Sequence, residues 1–180
     1  MTLVDSHAHI YLDQFNDDLV EVLERAENAG INKIVMPNID SDTVEEMLEV
    51  KAKFPGVCYP TIGLHPCSVK KNFEKELYVV EDWLGKEKFY AIGEMGTDLY
   101  WDTTFWDAQQ EAFKIQIELA KKHNLPFIIH CRDSIDETID LIEPLNTEEL
   151  QGVFHCFTGN TQQARRLTDM GFKLGMGGVT

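Results

Sequence analysis

Leu125-Pro126-Phe127-Ile128-Ile129-His130-Cys131-Arg132-Asp133 is the stretch whose reading decides the fold. Its apolar run is short and bounded by polar residues, which suits a strand buried on both faces, and such strands belong to parallel sheets. The run ends on a histidine, so any chemistry sits at the strand's C-terminal end. The same pattern recurs along the 180 residues. Val4-Asp5 opens onto Ser6-His7-Ala8-His9-Ile10, and Val57 to Ile62 leads into Gly63-Leu64-His65-Pro66. Phe89 to Ile92 reads as a strand ending in Gly93-Glu94-Met95-Gly96-Thr97-Asp98, and Gly152 to Phe154 as one ending in His155-Cys156-Phe157-Thr158-Gly159.

Helical patterns fill the intervals. Leu19, Val22, Leu23 and Ala26 recur at helical spacing, with Asn16 or Asp17 as cap and Gly30 as stop. Asp42 and Glu45 read as a capping pair for a helix carrying Val44, Met47 and Leu48. Further helices are expected over about residues 74–84 and 104–123, after Ser134 with Glu137, and after Asn160 with Gln163. With Thr2 to Asp5, Lys33 to Pro37 and Phe172 to Met176 as strands, roughly seven strands alternate with helices.

An open doubly wound sheet and a (β/α)8 TIM-type barrel both fit that alternation. An open sheet gathers its ligands at one switch point, and no G-x-G-x-x-G follows the first strand. Here His or Glu follows strands one, four, five and six, the distribution a barrel uses to build a site at one rim. A barrel of this type takes about 250 residues. The expectation is therefore an α/β chain folded over residues 1–180 as one barrel domain truncated at its C-terminus. The eighth strand and last helices would be missing, leaving apolar surface exposed at strands one and seven.

Composition narrows the function. Sixteen Lys and Arg face 31 Asp and Glu, a formal net charge of −15, which disfavours broad capture of a nucleic-acid backbone. A phosphate ester remains an acceptable substrate if divalent cations reverse the potential locally. No apolar run reaches membrane-spanning length and the N-terminus lacks a signal-peptide pattern, so a cytoplasmic chain is expected, with no membrane partner and no obligate protein partner evident. Cys58, Cys67, Cys131 and Cys156 show no C-x-x-C spacing and read as free thiols.

His7, His9, Glu94, His130 and His155 are the candidate metal ligands. Alternate residues of a strand share a face, so His7 and His9 project together and can reach one ion. Glu94 lies beside a buried strand between two glycines, where a carboxylate without a cation or hydrogen-bonded partner is costly. Each histidine has a plainer reading, as an exposed terminal pair or a satisfied core residue, but all would have to hold together. Mixed imidazole and carboxylate ligands suit zinc, with manganese or magnesium also eligible, and a two-oxygen carboxylate can bridge two ions. Two such ions give a route to hydrolysis without a protein nucleophile. No G-x-S-x-G element occurs and no cysteine is matched with a base.

Taken together and in order, Asp5-Ser6-His7-Ala8-His9, Gly63-Leu64-His65-Pro66, Gly93-Glu94-Met95-Gly96-Thr97-Asp98, Ile129-His130-Cys131-Arg132 and His155-Cys156-Phe157-Thr158-Gly159 resemble the TatD family of metal-dependent deoxyribonucleases, in the amidohydrolase-like barrel group. Tyr100-Trp101-Asp102, followed by Gln109, Phe113, Gln116 and Ala120, resembles that family too. The resemblance implies that His7 and His9 hold one divalent metal, that Glu94 bridges, and that His130 and His155 hold the second, the ions being Mg, Mn or Zn. It places His65 and Arg132 near a substrate phosphate and implies cleavage of DNA ends or single strands, as an exonuclease.

Two departures stand out. Thr97 occupies a position that is usually apolar. The family's last-strand aspartate, in a Thr-Asp-Ser-Pro-like motif and the expected base for the attacking water, is absent, so no catalytic base is assigned. A phosphoesterase or amidohydrolase of the PHP type, which also opens on His-x-His in a seven-stranded barrel, is the enzymatic alternative. An inactive metal-binding remnant is the other. Tyr100, Trp101, Phe105 and Trp106 either stack bases or pack as a lid, packing being the preferred expectation.

Overall fold

The computed structural model describes residues 3–178. Its elements run β1 (Leu3–Asp5), α1 (Leu19–Asn28), β2 (Ile31–Met36), α2 (Val44–Lys53), β3 (Cys58–Pro60), α3 (Phe73–Leu84), β4 (Ile92–Asp98), α4 (Trp106–His123), β5 (Phe127–Arg132), α5 (Ile135–Ile142), β6 (Gly152–Phe154), α6 (Thr161–Asp169) and β7 (Lys173–Leu174). Every strand pairing is parallel. The strands lie in chain order in two sheets, β1-β2-β3 and β4-β5-β6-β7, joined by a bridge between Ile62 and Ile92. A doubly wound sheet reverses direction at its switch point; this one does not. The fold is an incomplete TIM-type barrel, and its ring is not closed among the described residues.

β4 is the axis of the arc, and every residue in it is buried. Its apolar members pack with Met36, Ile62, Phe113, Ile117 and Ile129, all of which are fully buried. The expected strand over residues 89–92 is misplaced, because β4 begins where that segment ends and runs through the Gly-Glu-Met-Gly-Thr-Asp motif itself. Met95, Gly96, Thr97 and Asp98 pair with Ile129, His130, Cys131 and Arg132, after a register shift that accommodates Gly93 and Glu94. β5 likewise extends beyond Ile129 to Arg132.

The glycines that read as strand breakers are there because backbones press together. A Cβ on Gly96 would lie 1.9 Å from the carbonyl oxygen of His130, and φ there is +138°. A Cβ on Gly63 would lie 2.8 Å from Cα of Gly93.

Three caps also differ from expectation. At α5, Ser134 precedes the helix without the side-chain cap expected of it and Glu137. α1 starts after Asp18, not Asn16 or Asp17. Before α2, Thr43 replaces the Asp42–Glu45 pair: its hydroxyl accepts from the Asp40 N–H (3.3 Å) and from the Asn38 amide (2.9 Å). Asn38 is needed there because its backbone brackets Gly93 and Glu94 across the seam, at 3.2 and 2.9 Å. By contrast, Asn160 and Gln163 open α6 with the capping box expected of them.

Leu3, Val4 and Met176 are exposed, while Thr2 and the final residues 179–180 lie outside the described residues. No helix among the described residues is long and apolar enough to cross a membrane. All four cysteines are free, and burial pushes the Cys131 thiol up to about 12 and the Cys58 thiol up to about 11.

Replacing Gly96 by alanine is expected to cost about 3 kcal/mol or more, because backbone strain adds to a collision with main-chain atoms that cannot rotate away. Gly56→Ala is the control: φ is +81° but nothing lies within 4 Å of the new Cβ, so about 1 kcal/mol of strain remains. Urea unfolding of the two variants beside the parent chain measures the difference.

Candidate metal centre

At the C-terminal rim of the strands, one carboxylate faces five imidazoles. Glu94 is 2% exposed. Its Oε2 lies 3.2 Å from His7 Nε2 and 3.3 Å from His9 Nε2. Its Oε1 lies 2.7 Å from His155 Nε2 and 3.1 Å from His130 Nδ1, with His65 Nε2 farther off at 3.7 Å. The structure thus gathers His7, His9, Glu94, His130 and His155 into one cluster, and each oxygen of Glu94 takes a pair of histidines. The paired nitrogens approach each other too, at 3.2 Å for His7–His9 and 3.4 Å for His130–His155. His7 stacks on His155 with ring centroids 3.8 Å apart.

Hydrogen bonding behind the rings sets which nitrogens carry protons. The Tyr11 hydroxyl donates to the Pro37 carbonyl at 2.5 Å, so toward His9 Nδ1, 3.0 Å away, it accepts. His9 therefore carries its proton on Nδ1 and turns a bare Nε2 toward Glu94. His130 Nε2 donates to Asp98 Oδ2 at 2.8 Å, which leaves Nδ1 of the neutral ring as a lone pair directed at Glu94 Oε1 and His155. Lone pairs converging on a carboxylate repel unless a proton or a cation lies between them. Without a cation the proton does this at His130. Burial alone would lower that ring's pKa, but Asp98 and Glu94 together raise it to about 9.

The same imidazole contacts hold Glu94 well below the usual carboxylate range, although burial opposes them. Burial likewise opposes Asp98, yet its bonds to His130 and to the N–H groups of Trp101 and Tyr100 bring it down to about 2. Burial lowers His7, whose Nδ1 is buried without a hydrogen-bond partner. This donor set fits divalent cations. His7, Glu94 and His155, or His65, Glu94 and His130, each have ligand atoms close enough to share one ion.

His65 is a weaker member of that second set. Its Nδ1 accepts from the Cys67 N–H at 3.1 Å, so its proton sits on Nε2 and faces Glu94. Burial lowers its pKa to about 4 despite Glu94, which keeps it a neutral N–H donor.

Arg132 is not brought into the cluster. Its guanidinium lies over the Tyr100 ring, 3.6 Å from the centroid. Phe105 packs on a small core of Leu64, Val69, Leu77 and Ala112, as expected of a lid, but Tyr100 and Trp101 are exposed.

Several supporting residues, some of them within the quoted motifs, carried no assigned role in the sequence. Asp98 sits four residues after Glu94 on a wholly buried strand, where a second ionised carboxylate equally demands partners. Gln116 on α4 accepts from the Leu64 N–H at 2.7 Å and donates to the Leu64 carbonyl at 3.2 Å, fixing the turn that carries His65. Gln109, two turns earlier, accepts from the Asp98 N–H at 2.8 Å. Tyr11 left no signal beyond its position two residues after His9. A cavity of about 680 Å³, lined mainly by residues at the starts of β4 to β7 such as Ala91, Phe127, Gly152 and Lys173, has none of these groups in its wall.

Comparison with known proteins finds a family model described as TatD related DNase matching residues 4–180. A metal-dependent hydrolase of Bacillus subtilis, YabD, is 38% identical over 98% of this chain and 69% of its own length. The 3'-5' ssDNA/RNA exonuclease TatD of Yersinia pseudotuberculosis is 31% identical over 92% of this chain and 64% of its own. The crystal structure of YJJV, a TatD homolog from Escherichia coli, superposes with a TM-score of 0.87 at 30% identity, covering 96% of this chain and 66% of that one. This chain therefore spans about two thirds of each relative.

Beside the cluster, Thr97 meets a pair of hydroxyls, Ser134 at 2.8 Å and Thr138 at 2.7 Å, and all three residues are fully buried. Ser134 also donates to the Thr97 carbonyl and Thr138 to the Ser134 carbonyl, so both keep a partner if Thr97 loses its hydroxyl. Thr97→Val is accordingly expected to cost no more than about 1 kcal/mol. A loss in thermal unfolding corresponding to several kcal/mol would show that the three hydroxyls act as one unit.

Proposed function

Because the chain belongs to the TatD-related DNase family of metal-dependent hydrolases, we propose that it hydrolyses phosphodiester bonds at the ends of single-stranded DNA, as an exonuclease, at a centre for two divalent ions. The observation that carries this reading is the division of Glu94. One oxygen faces His7 and His9, and the other faces His130 and His155. That division supports a reading in which Glu94 would serve both ions, with His7 and His9 holding one and His130 and His155 the other. Mg, Mn or Zn held there would supply positive charge to a phosphoryl oxygen and make water a better nucleophile at neutral pH.

Hydrogen bonds support roles for the remaining groups. Tyr11 holds His9, and Asp98 holds His130, with a lone pair turned to the centre, as outer partners of metal-binding histidines do. His65 is the neutral N–H donor beside them and donates to a phosphate oxygen of the substrate. The name of the Yersinia relative supports single-stranded nucleic acid as substrate. The net charge of −15 agrees with attack at an end and not with coating of a duplex. No residue of this chain is assigned as the base for the attacking water.

The direct test incubates end-labelled single-stranded DNA with the protein and Mn²⁺ or Mg²⁺. Mononucleotides should appear progressively and cease on chelation with EDTA. If neither this chain nor a form continued into a Thr-Asp-Ser-Pro-bearing strand releases nucleotides, the proposal fails. A second test addresses the ligand geometry. Tyr11→Phe deprives His9 Nδ1 of its acceptor, so calorimetric Mn²⁺ affinity should fall roughly tenfold while folding stability drops by about 1 kcal/mol. Unchanged affinity would mean that Tyr11 does not orient a ligand.

A further inference from the structure

Tyr100 and Trp101 are aromatic side chains displayed on a fastened loop. They are 50% and 67% exposed, and their rings stand edge to face with centroids 4.8 Å apart. A mobile loop would be held weakly at its base, but this one is not. Oδ1 of Asp98 accepts from the N–H of Tyr100 and the N–H of Trp101, each at 2.9 Å, and the Leu99 N–H bonds the Arg132 carbonyl at 2.9 Å. Further along, the Asp102 carboxylate receives the Thr104 N–H and Lys70, and Gln109 reaches the Asp102 carbonyl. The loop's backbone is ordered while its two largest apolar groups face solvent.

Asp98 links this loop to the cluster. Its other oxygen holds His130, so one carboxylate sets both the ring that faces Glu94 and the backbone that displays the aromatics. Arg132 closes the arrangement: its guanidinium lies 3.6 Å from the Tyr100 centroid and 5.4 Å from that of Trp101, with no carboxylate paired to it among the described residues. A guanidinium stacked on a ring keeps its in-plane N–H groups available, and that fork matches a phosphate.

We propose that Tyr100 and Trp101 form a subsite for one base of a single strand, stacked on their exposed rings, beside the Arg132 that the family resemblance places near a substrate phosphate. This deepens the phosphodiesterase reading above and rests on it. Stacking is the contact an acidic protein can use, because it grips a polyanion without a basic surface and accepts every base.

The test compares a fluorescein-labelled phosphorothioate thymidine decamer with an all-abasic phosphorothioate strand of equal length, by anisotropy in Mn²⁺. The parent protein should prefer the thymidine strand by at least about fivefold, the lower end of what one stacked base supplies. Trp101→Ala combined with Tyr100→Ala should bring the two affinities together, and Trp101→Phe should retain the preference, which a general loss of fold would not allow. Arg132→Ala should weaken both strands alike and reduce the salt dependence by about one phosphate contact. Equal binding of the two strands by the parent protein overturns the subsite while leaving the phosphodiesterase reading intact. Binding of neither strand overturns both.

Discussion

A carboxylate buried at the junction of two sheets is the constraint on which the rest of this structure depends. An ionised group that is 2% exposed is tenable only if its oxygens are fully engaged. Glu94 meets the requirement with imidazoles from the loop after β1, from β5 and from the residue following β6. Bringing those groups within reach of one side chain demands close backbones. Gly96 lies against the His130 carbonyl, Gly63 lies against Gly93, and Asn38 clamps Gly93 and Glu94 from the loop after β2. The glycines, the asparagine and the register shift in β4 are separate answers to one electrostatic problem.

A second layer determines how the imidazoles face the carboxylate. Asp98 and Tyr11 each take a proton from the far side of a histidine, and the Cys67 N–H gives one to His65. Rings of the same residue type therefore arrive in different states: a lone pair faces inward at His9, a proton at His130 while no cation is bound, and an N–H at His65. α4 supports this layer with polar groups on an otherwise apolar face. Gln109 and Gln116 are both buried; Gln116 satisfies the backbone of the Leu64 turn, and Gln109 the Asp98 N–H at the end of β4.

The fold class was legible because buried parallel strands are continuous apolar runs, and Phe127-Ile128-Ile129 is one. The five cluster residues were legible because a polar side chain after such a run has few other places to point. Strand limits were not. A glycine pair carries the same letters whether it turns the chain or lets two backbones touch, so Gly93 and Gly96 read as loop when they are strand. Asp98 was missed because its partner, His130, is distant in sequence and adjacent only through β4–β5 register. The exposure of Tyr100 and Trp101 was likewise invisible, since aromatic content fits a packed lid as well as an open face.

The cluster draws members from both sides of the seam at Ile62 and Ile92. His7, His9 and His65 follow strands of the first sheet, Glu94 and His130 lie in the second, and His155 follows its β6. Parting the sheets would strip one buried carboxylate of half its partners and wet it in the same motion. Neither half can breathe alone without that penalty. In amide exchange the β3–β4 boundary should therefore not behave as a fault line: protons on either side of it should report a single opening event shared by both halves of the arc.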